Sequence, residues 1–422
     1  MKLKQIALVC AVAMICTACA APVAASSAAP SVTAVASTNK TEKSLEILLS
    51  GYGQNIQNMQ NDNGFYTVEC PQSNLYQNLM YYDYQTLAQR YVCDKPDCTH
   101  DDKECTSYLS TYGGVYSVVF HEKLYVIYQA YDDGTPDRNA WKPAIERRNL
   151  DGTGAEIVMQ GDERLRMNAT VATDGDAWYY TVGSERGNAL MRFSPTEKML
   201  TEVGVLQNNL MMIDAVWNGK QLALQYGGAN NDPAEGTNLY AVSLQDAHAE
   251  LLHTWEGGKF GFTNIPLYGE KFLYTDPQNG SIRAYDLASD TDALFTDIFT
   301  KHIESAQNGM CWGGGQIIGD WMFVQGEMTF AGNLKTGEVK EITLEDFWNG
   351  YVHPIAIWCE TPHGVLVTEE HRPRTIHSTG NAGEPMSFES DFNVYALMDV
   401  EDLVNSVPNY REIEPVSYAG VH

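Results

Sequence analysis

Seven segments of this 422-residue chain repeat one pattern: a turn rich in Gly, Asn or Asp, then a short strand of β-branched and aromatic residues. They read "NGFYTVE" from Asn63, "HEKLYVIYQ" from His121, "DGDAWYYTV" from Asp174, "WNGKQLALQY" from Trp217, "YGEKFLYTD" from Tyr268, "GDWMFVQG" from Gly319 and "HGVLVTEE" from His363. Their starts lie roughly 43 to 58 residues apart, the range of a four-stranded propeller blade. Second hairpins such as "ERRNLDGTGAEIV" and "LMRFSPTEKMLTEV" follow, and a further strand such as "GVYSVVF" precedes. A sheet this small cannot bury both faces by itself, but it can between two neighbours. The chain is therefore expected to be all-β, a β-propeller of four-stranded blades. Seven units are counted, and six or eight are compatible because the first lacks an obvious innermost strand. "YREIEPVSY" near the C-terminus is expected to supply that strand and close the ring. Helical period is confined to short stretches near Lys43–Leu49 and Val400–Val407.

The N-terminus has a different character. Lys2 and Lys4 precede an apolar run of eleven residues, Ile6–Cys16. That is too short for a membrane-spanning helix, which needs about 20 residues, and fits the core of a secretory signal. Thr17 and Ala18 then precede Cys19, which resembles a bacterial lipobox, with Cys16 where leucine is usual. Residues 1–18 are read as a lipoprotein signal peptide and Cys19 as the lipidated residue. Residues 19–42, almost all Ala, Ser, Thr, Val and Pro, read as a flexible tether, and 43–422 as one propeller domain. The expected location is the extracytoplasmic face of the cell membrane, with the lipid as the sole membrane contact.

The formal net charge is −27, and removal of 1–18 takes away two lysines and no acid, leaving −29. Such a chain repels nucleic acid and anionic headgroups. A nucleic-acid partner is not expected. The sequence also lacks a P-loop, a dinucleotide glycine fingerprint, a zinc-protease helix and a Gly-x-Ser-x-Gly elbow.

In a blade, the loops between strands two and three share a face with the crossings to the next blade. The longest insertions, Ala130–Lys142, Gly227–Gly236 and His371–Ser390, are all assigned there. So is "CDKPDCTHDDKEC", Cys93–Cys105, read as a crossing after the first unit. Long unstructured loops on one face are candidates for binding. His371, Arg372, Arg374 and His377 form a basic cluster in an acidic chain. They could pair a carboxylate or phosphate, but balancing the nearby Glu369, Glu370 and Glu384 is the favoured reading. Trp141 could stack on a sugar ring or serve as a lid over its own blade.

Cys93, Cys98, His100 and Cys105 offer three sulfurs and one imidazole, the donor set of a closed tetrahedral structural zinc site. Disulfides are the other reading in an exported chain, with Cys70 as the nearest outside partner. A reactive thiol is the poorest fit, because five carboxylates surround the motif against Lys95 and Lys103. Cys311 and Cys359 lie in strand-like segments and read as buried apolar residues.

The lipobox-like start, "LMYYDYQTLAQRYVCDKPDCTHDDKEC", the "NLDGT" hairpin and the closing "VYALMDVEDLVNSVPNYREI" together resemble β-propeller lipoproteins of Gram-positive anaerobic bacteria. The resemblance spans nearly all of the chain after the signal. It implies fold and location, and brings no settled activity. The expected function is binding of a ligand or envelope protein through one loop face. A carbohydrate-active enzyme with acids in the central funnel, and a structural or sensory envelope component, are the alternatives.

Overall fold

The computed structural model describes residues 44–418, apart from 51–59, 72–75, 262–266, 302–313 and a few shorter segments. Signal, Cys19, tether and Cys311 lie outside the described residues. Seven antiparallel sheets follow one another along the chain, spanning residues 60–109, 115–160, 171–206, 210–255, 267–296, 314–342 and 356–412. Each sequence repeat supplies the second strand of its blade, from Gly64–Glu69 in blade 1 to Gly364–Thr379 in blade 7. The local chemistry is direct. In blade 4 Trp217 pairs with Lys220 across Asn218-Gly219, both with positive φ, the hairpin turn that Asn-Gly favours.

The apolar core is divided among the gaps between blades. Trp178, Phe120, Tyr125 and Phe193 pack edge to face between blades 2 and 3. Such contacts are each worth about 0.5–1.5 kcal/mol beyond area burial. Equivalent clusters fill the other gaps, and one joins Phe65, Met80 and Tyr82 of blade 1 to Cys359, Leu366, Tyr395 and Leu397 of blade 7. That cluster closes the ring.

Three local expectations are corrected. The stretch near Lys43–Leu49 is not helical. Glu46–Leu49 is a strand on the inner edge of blade 3, outside Val171–Thr173 in the sheet order. There Leu45 and Ile47 face the gap between blades 3 and 4, while Leu48 and Leu49 face that between blades 2 and 3. A strand can serve two gaps at once, and a single helical turn cannot. Val400–Val404 is the helix expected near Val400–Val407.

Nor does "YREIEPVSY" enter blade 1 as its innermost strand, a place held by Gln60–Asn61. Arg411–Glu412 forms the outer strand of blade 7, and Glu414 then bridges Ala88 on the outer strand of blade 1. Third, His371–Ser390 is not an irregular loop. It continues the blade 7 ladder from His371↔Asn393 to Thr379↔Pro385, as a hairpin projecting beyond the body of its blade.

Ring closure is reinforced by a buried polar cluster. Tyr418 stacks on Phe392 of blade 7, with centroids 4.0 Å apart, and its hydroxyl donates to Glu69 of blade 1. Tyr82 donates to the same carboxylate at 2.6 Å and Gln89 at 3.1 Å. The Gln89 side-chain carbonyl accepts from Val416 N–H at 3.0 Å.

Burial pushes the Glu69 carboxyl above its ordinary value of 4.5, against the hydrogen bonds of Tyr418, Tyr82 and Gln89 and the nearby Arg374 charge. The native state therefore holds the Glu69 proton more tightly than the unfolded chain does. The contribution of Glu69 to stability is most favourable below its ordinary value, and falls as pH rises from there through the raised one. Glu69→Gln should flatten that part of the pH–stability curve, as read by urea unfolding between pH 4 and 8. An unchanged slope would show that Glu69 titrates normally.

Candidate metal centre and the long-loop face

The cysteine motif interrupts the last strand of blade 1, rather than following it as a crossing. Ala88–Tyr91 pairs with Met80–Asp83, and Tyr108–Leu109 resumes the same line against Gln77–Asn78. Between them Leu79 carries both ends of the excursion. Its carbonyl accepts from Val92 N–H at 3.0 Å, and its N–H donates to the Ser107 carbonyl at 2.8 Å. Residues 92–107 thus leave and rejoin the strand at one pinch point.

Inside this loop the ligand atoms of Cys93, Cys98, His100 and Cys105 all lie within 4.8 Å of one another. A tetrahedral zinc site places its donors about 3.3–3.8 Å apart, given bonds of about 2.0–2.3 Å. The group can hold a metal ion. His100 Nδ1 stands 3.2 Å from Cys105 Sγ. The imidazole lies flat on Tyr91, with centroids 3.8 Å apart, and the His100 carbonyl accepts from buried Asn78 at 2.9 Å. His100 and Asp97 have positive φ, so the loop curls back on itself without glycine.

Partial burial opposes ionisation of Cys93. Hydrogen bonds from Lys95 N–H, from the Thr106 hydroxyl and N–H, and from Cys105 nevertheless bring it down to about 7. Burial pushes Cys105 up to about 11, and holds His100 below the ordinary imidazole value. Cys70, the expected disulfide partner, does not join this group, and the described cysteines carry free thiols. Cys359 is fully buried on an inner strand, as a small apolar side chain.

Blade 2 grips the neck of the loop. Arg148 donates to the Thr106 carbonyl at 2.6 Å and pairs with Glu146, both side chains being buried. Tyr128 donates to the other Glu146 oxygen at 3.2 Å. The "NLDGT" turn of the same blade closes on the neck. A Cβ on Gly152, whose φ is +84°, would stand 2.5 Å from the Val92 carbonyl oxygen and 2.8 Å from that of Thr106. Lys103 extends the contact to Asp132 at 3.0 Å. The "NLDGT" turn was noted in the sequence, but its contact with the cysteine loop, like those of Arg148 and Asp132, was not read there because these residues come from another blade.

The remaining candidates are largely engaged. Trp141 is buried and its indole N–H donates to the Thr135 carbonyl at 2.7 Å, the posture of a lid. His371 pairs with buried Asp346 and stacks on Trp348 at 5.2 Å. Arg372 pairs with Glu370 and donates to both carboxylate oxygens of Glu412 at 3.0 Å. Arg374 is buried, 5.0 Å above the Tyr418 ring, with one N–H on the Cys70 carbonyl at 2.5 Å. His377 lies on the strand Gly364–Thr379.

The structure adds a hairpin, Glu345–Pro354, whose Phe347, Trp348, Tyr351 and Val352 are exposed. Asn349-Gly350 between aromatics was its readable signal. Among acids of the described inner strands, Asp214 is held by Ser50 and Thr170.

No family model matches the chain, and no curated protein sequence does. Solved structures give distant likenesses. TolB from Acinetobacter baumannii is 12% identical, with 82% of this chain and 77% of that one covered and a TM-score of 0.33. An oligogalacturonate lyase in complex with manganese is 11% identical, covering 66% and 72%, with a TM-score of 0.34. A nidogen/laminin complex is 7% identical, covering 66% and 91%, with a TM-score of 0.30. The blade assignment stands on the sheet topology and not on these.

Arg148→Ala should cost about 3–5 kcal/mol in urea unfolding, because it strands buried Glu146 and frees the loop neck. The double replacement Glu146→Leu, Arg148→Met should recover much of that loss. Equal losses in both would show that the carbonyl bonds of Arg148, and not its charge partner, carry the effect.

Proposed function

We propose that the protein is an extracytoplasmic lipoprotein, anchored through Cys19, whose propeller binds a ligand or partner protein through the long-loop face. The observation that carries this reading is the direction of the N-terminal strand. Glu46 stands opposite Thr173, near the first turn of blade 3, and Leu49 stands opposite Val171, near the preceding crossing. The chain therefore enters the hub from the turn face. The long hairpin of blade 7, between its second and third strands, lies on the opposite face from that entry. The test is metabolic labelling with an alkyne fatty acid and membrane fractionation. The wild type should label and sediment with membranes, and Cys19→Ala should do neither. Labelling that survives Cys19→Ala overturns the anchor.

The Cys93, Cys98, His100 and Cys105 group is read as a structural zinc site. Four protein donors leave no open position for a substrate, and the two strand ends pinched at Leu79 gain a cross-link. Elemental analysis should find one zinc per chain, lost in Cys98→Ser and His100→Ala and retained in Cys70→Ser. Chelation should lower the melting temperature of the wild type and leave that of Cys98→Ser unmoved. A disulfide found by mass mapping within 93–105 would replace this reading.

A further inference from the structure

We propose that the hairpin Glu345–Pro354 is a binding platform for a neutral glycan chain, with Trp348 and Tyr351 as its stacking surface and His371 as a polar anchor. This rests on the reading of the long-loop face as the binding face. The hairpin lies in the crossing from the outer strand of blade 6, Val339–Ile342, to the inner strand of blade 7, Ala356–Thr361, and crossings share that face.

Pairing divides the hairpin into two faces. Asp346 stands opposite His353 and Trp348 opposite Tyr351, while Phe347 stands opposite Val352. Side chains alternate along a strand, so Asp346, Trp348, Tyr351 and His353 share one face, and Phe347 and Val352 the other. The first face meets His371 on the long strand of blade 7. Buried Asp346 accepts from the His371 backbone N–H at 3.0 Å and pairs through its other oxygen with Nδ1 of the same residue. The imidazole is thereby fixed in two places. Trp348 lies along it, with ring centroids 5.2 Å apart and planes 25° from parallel. His353 stands beside the same indole, 5.6 Å between centroids.

This aromatic surface is open and its polar atoms are unspent. Trp348 is 44% exposed and Tyr351 66%. His371 Nε2, the Trp348 indole N–H, the Tyr351 hydroxyl and the His353 ring nitrogens have no hydrogen-bond partner among the described residues, and none of these atoms is buried.

The combination selects the ligand. Aromatic faces are electron-rich and attract the polarised C–H groups of a sugar ring. Sugar hydroxyls both donate and accept, so they match the unpaired nitrogens and the phenol together. An acyl chain or an apolar side chain would cover the same rings and leave those polar atoms with neither water nor partner, which is costly. An anionic sugar or a phosphate finds no counter-charge. The hairpin carries Glu345 and Asp346 and no lysine or arginine. The arginines of the adjoining strand are occupied, Arg372 by Glu370 and Glu412, and Arg374 over Tyr418. A second copy or an anionic bilayer meets a chain of net charge −27.

The test is native electrophoresis of the full chain through gels containing hydroxyethylcellulose, arabinoxylan, galactomannan or amylopectin, with polygalacturonate as the anionic control. At least one neutral polymer should retard the protein and slow amide hydrogen exchange within 345–354, and polygalacturonate should do neither. Trp348→Ala, Tyr351→Ala and His371→Ala should each weaken binding about ten-fold. Phe347→Ser, on the opposite face, should leave it unchanged. Trp348 and Tyr351 are exposed, so their variants should keep the melting temperature and decide the matter even where His371→Ala, which strands buried Asp346, unfolds. Failure of all the neutral polymers, equal retardation by polygalacturonate, or undiminished binding to Trp348→Ala overturns the site. A loss in Phe347→Ser equal to that in Trp348→Ala marks an apolar tip and overturns it too. Protection that appears instead at 130–142 or 227–236 overturns this hairpin and leaves the long-loop face standing. Protection at the turns 194–199 or 286–291 overturns both.

Discussion

Everything in this molecule depends on each small sheet having an apolar neighbour on both sides. A four-stranded blade cannot exclude water from two faces by itself, so the ring must close. Closure requires that blade 7 meet blade 1, where Tyr395 packs edge-on against Phe65 and Tyr82, at 5.3 and 5.1 Å. The C-terminal segment extends this contact across the rim with Tyr418, Glu69, Tyr82 and Gln89. Buried polar groups of this kind contribute little net free energy, yet an unmatched partner is expensive, so they specify one alignment of the two ends. The loop geometry is inherited from that alignment.

The gap between blades 1 and 2 shows the same logic applied to the candidate metal centre. The loop itself belongs to blade 1, but its neck is held by Arg148 and shaped against Gly152, both of blade 2. A buried ion pair such as Arg148–Glu146 is a poor source of stability by itself. Here the guanidinium also satisfies the Thr106 carbonyl. The two features that stood apart in the chain, the cysteine motif and the "NLDGT" turn, are one contact in space.

The blades were legible because period-2 alternation, aromatic strands and turn residues are local signals. Asn218-Gly219 could be read as a turn without knowing anything distant. The donor set of the cysteine motif was legible for the same reason. What was hidden depended on pairing. Glu46–Leu49 resembles a helical turn until two blade gaps exist to receive its apolar residues. The insertion of Cys93–Cys105 within a strand became visible only when Tyr108–Leu109 was found on the line of Ala88–Tyr91. Of the partners of 371–374, Glu370 could be read nearby in the chain, whereas Asp346, Glu412 and Tyr418 could not because they are far from them in sequence.

The inner-edge strand Glu46–Leu49 also decides how the domain meets mechanical load. Force applied at the N-terminal end reaches the propeller at its axis, along a short strand bonded to Val171–Thr173 and wedged between two blade gaps. Drawn along its own direction, that strand resists in shear, with its rungs strained together. Drawn sideways, it unzips one rung at a time. The blades follow this strand in the chain, so load from the N-terminal end meets the hub strand first.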